Sequence, residues 1–136
     1  ELLNTAALLH DIGEIHLPSE IINKNESLTA AEFKLIESHP ELSYELLTDV
    51  KFDPRIKEII LQHHERLDGS GYPAGLRGNK ILKEARIIGA ADSITAMLSE
   101  RPYRKTFSKK EVLEILIENK GIKYDPEIVE ICIDLF

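Results

Sequence analysis

Four histidines and two aspartates lie at the ends or on the apolar faces of predicted helices: His10, Asp11, His39, His63, His64 and Asp92. One histidine on an apolar face is usually a hydrogen-bonded core residue, and we place His16 in that class. Six such groups are harder to explain one at a time, whereas a shared cation satisfies all of them. Imidazole with carboxylate suits Fe, Mn or Zn. The set exceeds one tetrahedral zinc site, and two ions about 3.5–4 Å apart activate water for attack on phosphorus. The residues therefore predict a two-metal site.

Helical periodicity gives two of these candidates an orientation. His63 lies on the apolar stripe of "PRIKEIILQHH" and is predicted to point inward. Asp92 lies on a stripe of small apolar residues in "EARIIGAADSITAML" and is predicted to be buried. A buried lone carboxylate is costly, so Asp92 needs a cationic or metallic partner.

Two further segments could contact a ligand. In "HHERLDGSGYP", Gly69 and Gly71 allow close backbone approach, and Tyr72 offers a ring face and a hydroxyl. In "SERPYRKTF", Arg101 and Arg104 are three residues apart and could face one phosphate. The first segment could also be an ordinary surface turn, and the two arginines could simply be solvated.

The elements that must position these residues are predicted to be helices throughout. Thr29 with Glu32, and Ser108 with Glu111, have the spacing of capping boxes. Asp-Pro pairs at 53–54 and 125–126 begin two more helices, Pro40 suits a first helical position, and Gly121 suits a helix stop. Residues 67–80 form a long glycine-rich loop, and strand-like alternation is absent. The predicted fold is an all-α orthogonal helical bundle.

Composition narrows the class of protein. The chain has 136 residues, enough for one domain, and a net charge of -7, which argues against a partner of DNA or RNA. Its single cysteine, Cys132, excludes an internal disulfide and is interpreted as a core residue. No apolar run approaches the ~18 residues of a membrane span, so we expect a cytoplasmic domain without membrane contact. The only methionine is Met97, which predicts a piece of a longer protein.

Together these motifs carry a family resemblance. In order, "HDIGE", "HHERLDGSGYP", "AADSITAMLSERPYR" and "GIKYDPEIV" closely resemble HD-GYP domains, a branch of the HD metal-dependent phosphohydrolases. The resemblance covers nearly the whole chain. It implies an all-α HD-type fold over residues 1–136, with two or three divalent metal ions, commonly iron or manganese.

The resemblance also assigns roles to individual residues. It makes the six candidates metal ligands, with Asp11 as the bridging carboxylate and His10 beside it as the second catalytic residue. Gly71 and Tyr72 match the signature loop that lines the substrate. Arg101 and Arg104 match arginines that contact nucleotide phosphates.

Three features depart from the family pattern. Glu14 stands where the family usually has a lysine facing the substrate phosphate, and Thr95 stands where it often has an acidic residue. The helix that usually precedes this segment in the family is absent from the sequence, so we expect the domain to lack its first helix.

The resemblance implies a cyclic di-GMP phosphodiesterase that yields pGpG or GMP in bacterial second-messenger signalling; some members act on cyclic GMP-AMP instead. An upstream sensory or receiver domain, a GGDEF-type partner and a homodimer are the associations it suggests. Two alternatives stay open: a degenerate module that binds a nucleotide or a protein for signalling, and an HD hydrolase for another phosphoester.

Overall fold

Helices form the regular structure of the computed structural model, which describes residues 1–100 and 106–136. The α-helices in these ranges are α1 (Leu2–Leu9), α2 (Ser19–Ile22), α3 (Ala30–Ile36), α4 (His39–Leu46), α5 (Pro54–Gln62), α6 (Lys83–Leu98), α7 (Lys109–Glu118) and α8 (Pro126–Leu135). Short 3-10 helices span Ile12–His16 and Gly78–Lys80. The described residues contain isolated β-bridges but no strand, so the predicted all-α fold is confirmed. None of these helices is both long and apolar enough to cross a membrane.

The predicted helix starts are confirmed by their hydrogen bonds. The Thr29 hydroxyl accepts from the N–H of Glu32 at 3.3 Å, and the Glu32 carboxylate accepts from the N–H of Thr29 at 2.7 Å. Ser108 and Glu111 form the same reciprocal pair at the start of α7. Asp53 caps α5 by accepting from a backbone N–H at 2.9 Å. Each cap satisfies N–H groups that have no partner within the helix.

Several helix ends differ from the prediction. The first helix ends at Leu9, and a 3-10 helix follows it. Pro40 is the second residue of α4, after His39. Gly121, with φ of +73°, lies in the turn beyond α7 rather than at its last residue. Helix α2 was not predicted, because a helix of four residues is too short to show helical periodicity in the sequence.

Two apolar clusters hold the helices together. The larger one joins α1, α5 and α6 through buried residues that include Ala6, Ile59 and Ala85. The smaller one joins α7 and α8, and Cys132 packs against it as predicted. Helix α6 packs against α5, α7 and α8, so it connects the two clusters.

Candidate metal centre

Asp11 lies in the middle of a group of histidines. Its Oδ2 atom is 3.1 Å from Nε2 of His10. Its Oδ1 atom is 3.2 Å from Nε2 of His39 and 3.6 Å from Nε2 of His63. The two oxygens of one carboxylate therefore face different imidazoles, an arrangement that lets a carboxylate bridge two cations.

The structure brings all six candidate residues together in two groups. In each group the potential ligand atoms lie within 4.8 Å of one another; the groups are Asp11, His39, His63 and His64, and His10, Asp11 and Asp92. Asp11 belongs to both. Imidazole nitrogen and carboxylate oxygen in these numbers fit a divalent transition metal.

Helix carbonyls set the orientation of three imidazoles. Nδ1 of His10, His39 and His63 lies 2.7, 2.8 and 2.6 Å from the carbonyl oxygen three residues earlier in each case. A carbonyl oxygen only accepts, so Nδ1 carries the proton and donates. Nε2 is the atom that faces Asp11: in the doubly protonated ring it donates to this carboxylate, and in the neutral ring its lone pair is available to a cation. This carbonyl support is the usual arrangement behind metal-binding histidines.

The ends of three helices meet at this centre. His10 follows α1, His39 begins α4, and His63 follows α5. Ser43 of α4 ties two of these ends together, because its hydroxyl accepts from the N–H of Gly13 at 2.8 Å and donates to the carbonyl of His10 at 3.1 Å. A Cβ atom at Gly13 would lie 2.3 Å from the carbonyl oxygen of His39, so only glycine permits this approach.

Asp92 of α6 lies at the same centre. Gly89, one turn earlier, packs so closely that a Cβ atom there would lie 2.1 Å from the carbonyl oxygen of His63. His63 is fully buried, as predicted. Asp92 is half-buried rather than buried, so that prediction is wrong: the residue lines two neighbouring cavities.

Hydrogen bonds, charge and burial shift the pKa values of the site residues in different directions. The hydrogen bond to Asp11 raises the pKa of His10 to about 9. Burial alone would raise the pKa of Asp11, but hydrogen bonds from His10, His39 and His63 outweigh it and hold that pKa far below its ordinary value. Burial first, and then the charges of neighbouring histidines, lower the pKa of His64 to about 2. An ionised Asp11 and a neutral His64 are the forms of these two groups that bind a cation.

A cavity of about 610 Å³ opens in front of the centre. Glu14 lines it together with Asp11, and burial, followed by the charge of Asp11, raises the pKa of Glu14. Tyr72 forms part of another wall, where its ring stacks on His64 with centroids 4.7 Å apart. The cavity is large enough for a nucleotide-sized ligand.

The glycine-rich loop is held by a residue that the sequence did not single out. Glu65 is buried, and its carboxylate accepts from the N–H of Ala74 at 2.7 Å and of Leu76 at 2.8 Å. Gly71 packs against the backbone, since a Cβ atom there would lie 2.3 Å from the carbonyl oxygen of His64. Tyr72 lines the cavity and Gly71 does not. One indication in the sequence that Glu65 has a role is its position directly after the candidate ligands His63 and His64.

The remaining candidates divide into three cases. Arg101 and Arg104 lie outside the described residues, so their proposed phosphate contacts stay predictions. His16 is exposed at the end of its 3-10 helix, so its interpretation as a core residue is wrong. Thr95 is exposed on α6 and lines two apolar grooves that flank this helix.

Comparisons with known proteins identify the family of this chain. Residues 1–128 match the HD domain family. The cyclic di-GMP phosphodiesterase response regulator RpfG of Xanthomonas campestris is 40% identical over 131 residues, which cover 95% of this chain and 35% of that protein. The 3'3'-cGAMP-specific phosphodiesterase 1 of Vibrio cholerae is 42% identical over 114 residues, or 84% of this chain and 26% of that protein.

A solved structure shares the fold. An HDG"Y"P protein from Bdellovibrio bacteriovorus superposes with a TM-score of 0.78 at 27% sequence identity, covering 98% of this chain and 42% of that one. The chain thus spans about a third of the length of the curated relatives it matches, from 26% to 35% in the two described above.

Proposed function

This chain belongs to the HD domain family, in its HD-GYP branch, and from that membership we propose that it hydrolyses a phosphodiester bond of a cyclic dinucleotide with the help of divalent metal ions. The two relatives described above are named as phosphodiesterases of cyclic di-GMP and of 3'3'-cGAMP. We propose cyclic di-GMP as the substrate, with linear pGpG or GMP as the product.

One observation carries the proposal. Two groups of side chains that could hold a metal ion share Asp11, and both border one cavity. Two ions joined by a carboxylate are the arrangement that hydrolyses phosphoesters in many unrelated folds. We propose iron or manganese, because mixed imidazole and carboxylate ligands suit these metals and the resemblance to HD-GYP domains implies them.

Each side chain then has a task. Asp11 would hold both ions, and the Nε2 atoms of His10, His39 and His63 would be ligands whose protons already lie on Nδ1. His64 and Asp92 would complete the two groups. The ions would supply Lewis acidity at the phosphate and a lowered pKa of water.

Other residues would bind the nucleotide. Tyr72, stacked on His64 at the cavity wall, would contact it directly, and Gly71 would keep that loop against the backbone. Arg101 and Arg104 would neutralise phosphate charge. Glu14 would face the substrate from the cavity wall, where its charge opposes an anion.

The wider setting is also proposed. Because the chain covers about a third of its relatives, we propose that it works in the cytoplasm behind a sensory or receiver domain. A GGDEF-type partner would supply the cyclic dinucleotide, and a homodimer would be compatible with such signalling. The formal charge of -7 supports no role in binding a nucleic-acid polymer.

The second candidate is a module that binds the nucleotide without cleaving it. Glu14 and Thr95 favour it, because they stand where the family usually has a lysine facing the substrate phosphate and often has an acidic residue. The six ligand side chains favour the enzyme, since binding alone does not require two metal groups that share a carboxylate.

Turnover decides between these candidates. The protein at its natural length, loaded anaerobically with Fe(II) or Mn(II), should convert cyclic di-GMP to a linear product, and Asp11→Asn protein should not. Binding of cyclic di-GMP without turnover by metal-loaded protein would favour the second candidate. Turnover of another phosphoester but not of cyclic di-GMP would reassign the substrate.

A further inference from the structure

One wall of the cavity carries a cation with no assigned role. The segment 22–25 forms this wall, and Lys24 is the only lysine or arginine among the described residues that line the cavity. The acidic residues that line it are Asp11, Glu14 and Asp92. Since Asp11 and Asp92 belong to the candidate metal centre, an anionic ligand would meet the acidic Glu14 and the cation of Lys24 on the other described walls.

The ammonium group of Lys24 is held in a fixed position. Its Nζ atom donates to Oε1 of Glu32 at 2.8 Å and to Oε2 at 2.7 Å. Glu32 is itself anchored, because it accepts from the N–H of Thr29 in the capping box of α3. Since an ammonium group has three N–H donors, this pair leaves one for another acceptor. The Lys24 side chain keeps 24% of its surface exposed, so a ligand can reach it.

The chemistry of a cyclic dinucleotide requires such a group. Its ring contains two phosphodiesters, each with one negative charge, and the metal centre can act on only one of them at a time. The second phosphodiester would then lie elsewhere in the same cavity, where Glu14 is acidic. Burying that charge without a cationic partner is costly.

We propose that Lys24 binds the phosphodiester that is not being cleaved, and so selects substrates that carry two phosphates. This inference rests on the proposed function. Lys24 would act on substrate affinity rather than on the chemical step, because it would contact a group that does not react. Glu32 would hold the ammonium in place while it offsets part of its charge.

A purely structural role for Lys24 makes different predictions. If the pair with Glu32 only anchored segment 22–25, then loss of either partner would disturb the cavity in the same way. If Lys24 binds phosphate, the two changes have opposite signs: Lys24→Met weakens substrate binding, and Glu32→Gln strengthens it by removing the competing carboxylate. Glutamine keeps a side-chain oxygen that can accept from the N–H of Thr29, so the cap of α3 is preserved.

The test compares two substrates in the metal-loaded protein at its natural length. Cyclic di-GMP has two phosphodiesters, and bis(p-nitrophenyl) phosphate has one. We expect Lys24→Met to raise KM for cyclic di-GMP about tenfold, as loss of a charge-assisted hydrogen bond does, with kcat and both constants for bis(p-nitrophenyl) phosphate unchanged. Lys24→Arg should restore most of the affinity. Lys34→Met is the matched control, because Lys34 is exposed and pairs with Glu37 outside the cavity.

Calorimetric binding of a slowly cleaved phosphorothioate analogue of cyclic di-GMP provides a readout that is independent of turnover. Weaker binding by Lys24→Met and tighter binding by Glu32→Gln would support the inference. Equal changes in KM for both substrates, an unchanged KM for cyclic di-GMP, or weaker binding by both variants would overturn it. If the wild type cleaves bis(p-nitrophenyl) phosphate but neither binds nor cleaves cyclic di-GMP, the proposed function fails and the inference fails with it.

Discussion

Glu14 is the residue at which this cavity is least suited to an anion. Its carboxylate lies close enough to Asp11 for the charge of Asp11 to raise its pKa, in addition to the larger effect of burial. A negative phosphate placed in the same cavity experiences both charges. Under the proposed function, Glu14 would therefore lower the affinity for a phosphodiester unless a cation lies beside it.

Removal of this charge should improve substrate binding. We expect Glu14→Gln to lower KM for cyclic di-GMP about fivefold, which corresponds to about 1 kcal/mol of relieved repulsion, and Glu14→Lys to lower it further. Steady-state kinetics at fixed metal loading measure this. Glu20→Gln, an exposed change of the same charge in α2, should leave KM unaltered. A rise in KM together with loss of bound metal would instead identify Glu14 as a ligand.

Individual residues differed in how well the sequence predicted them. The candidate ligands could be predicted because histidines at helix ends are visible in a local sequence pattern, and because His63 follows the apolar stripe of its helix. The contacts of Ser43 with Gly13 and His10 could not be predicted from the sequence, since they join residues about thirty positions apart. The exposure of Asp92 depends on neighbouring helices and not on its own stripe.

At the scale of elements, the glycine-rich loop depends on one buried carboxylate. Glu65 accepts from two loop N–H groups, and the loop in turn holds Tyr72 against His64. Glu65→Gln offers only one side-chain oxygen and leaves an N–H group without an acceptor, which costs about 1–3 kcal/mol.

We therefore expect Glu65→Gln to lower the free energy of unfolding by that amount in urea denaturation and to raise KM, while the metal content stays unchanged. Glu118→Gln, an exposed change at the end of α7, is the control and should have no effect. An unaltered unfolding curve for Glu65→Gln would show that the loop does not depend on this carboxylate.

An ion pair between Arg86 and Asp125 links α6 to the start of α8. Asp125 accepts from Nη1 of Arg86 at 2.9 Å and from the N–H of Glu127 at 3.0 Å. Arg86 also donates to the carbonyl groups of Gly78 and Ile81, so the same guanidinium holds the end of the loop. Burial would raise the pKa of Asp125, but these hydrogen bonds outweigh it and hold the pKa below the ordinary value of 3.8.

This pair should make stability depend on pH. A carboxyl group whose pKa is lower in the folded state contributes stability above its unfolded pKa, and the contribution is lost as the pH falls through the folded pKa. We expect Asp125→Asn to be about 2–3 kcal/mol less stable than the wild type at neutral pH, with the difference shrinking below about pH 4. Urea denaturation across pH measures it.

The control for this pair is Glu127→Gln. The Glu127 side chain is 73% exposed and pairs with Lys83, so its loss should change stability by less than about 0.5 kcal/mol. A difference for Asp125→Asn that persists undiminished at low pH would contradict an ionic role for Asp125.

Helix boundaries were predictable where the signal is local. The capping boxes and the Asp-Pro starts fix one end of a helix through residues three positions apart or closer. The short helices at Ile12–His16 and Ser19–Ile22 were missed, because packing against neighbouring elements, rather than period, stabilises such short turns.

At the scale of the whole molecule, the centre lies where α1, α4 and α5 end or begin against α6. The sequence predicts an all-α fold from its periodicity, but it does not specify which helices meet. Because α6 connects both apolar clusters and also carries Asp92, metal binding should stabilise the whole described bundle rather than one loop.

The metal content of the folded protein tests the central claim most directly. Protein at its natural length, saturated with Mn(II) and freed of excess metal, should retain two ions per chain by mass spectrometry of the metal, since two ligand groups share Asp11. Asp92→Asn should lose one ion and Asp11→Asn should lose both. Full retention of metal by folded Asp11→Asn protein would contradict a centre bridged by this carboxylate.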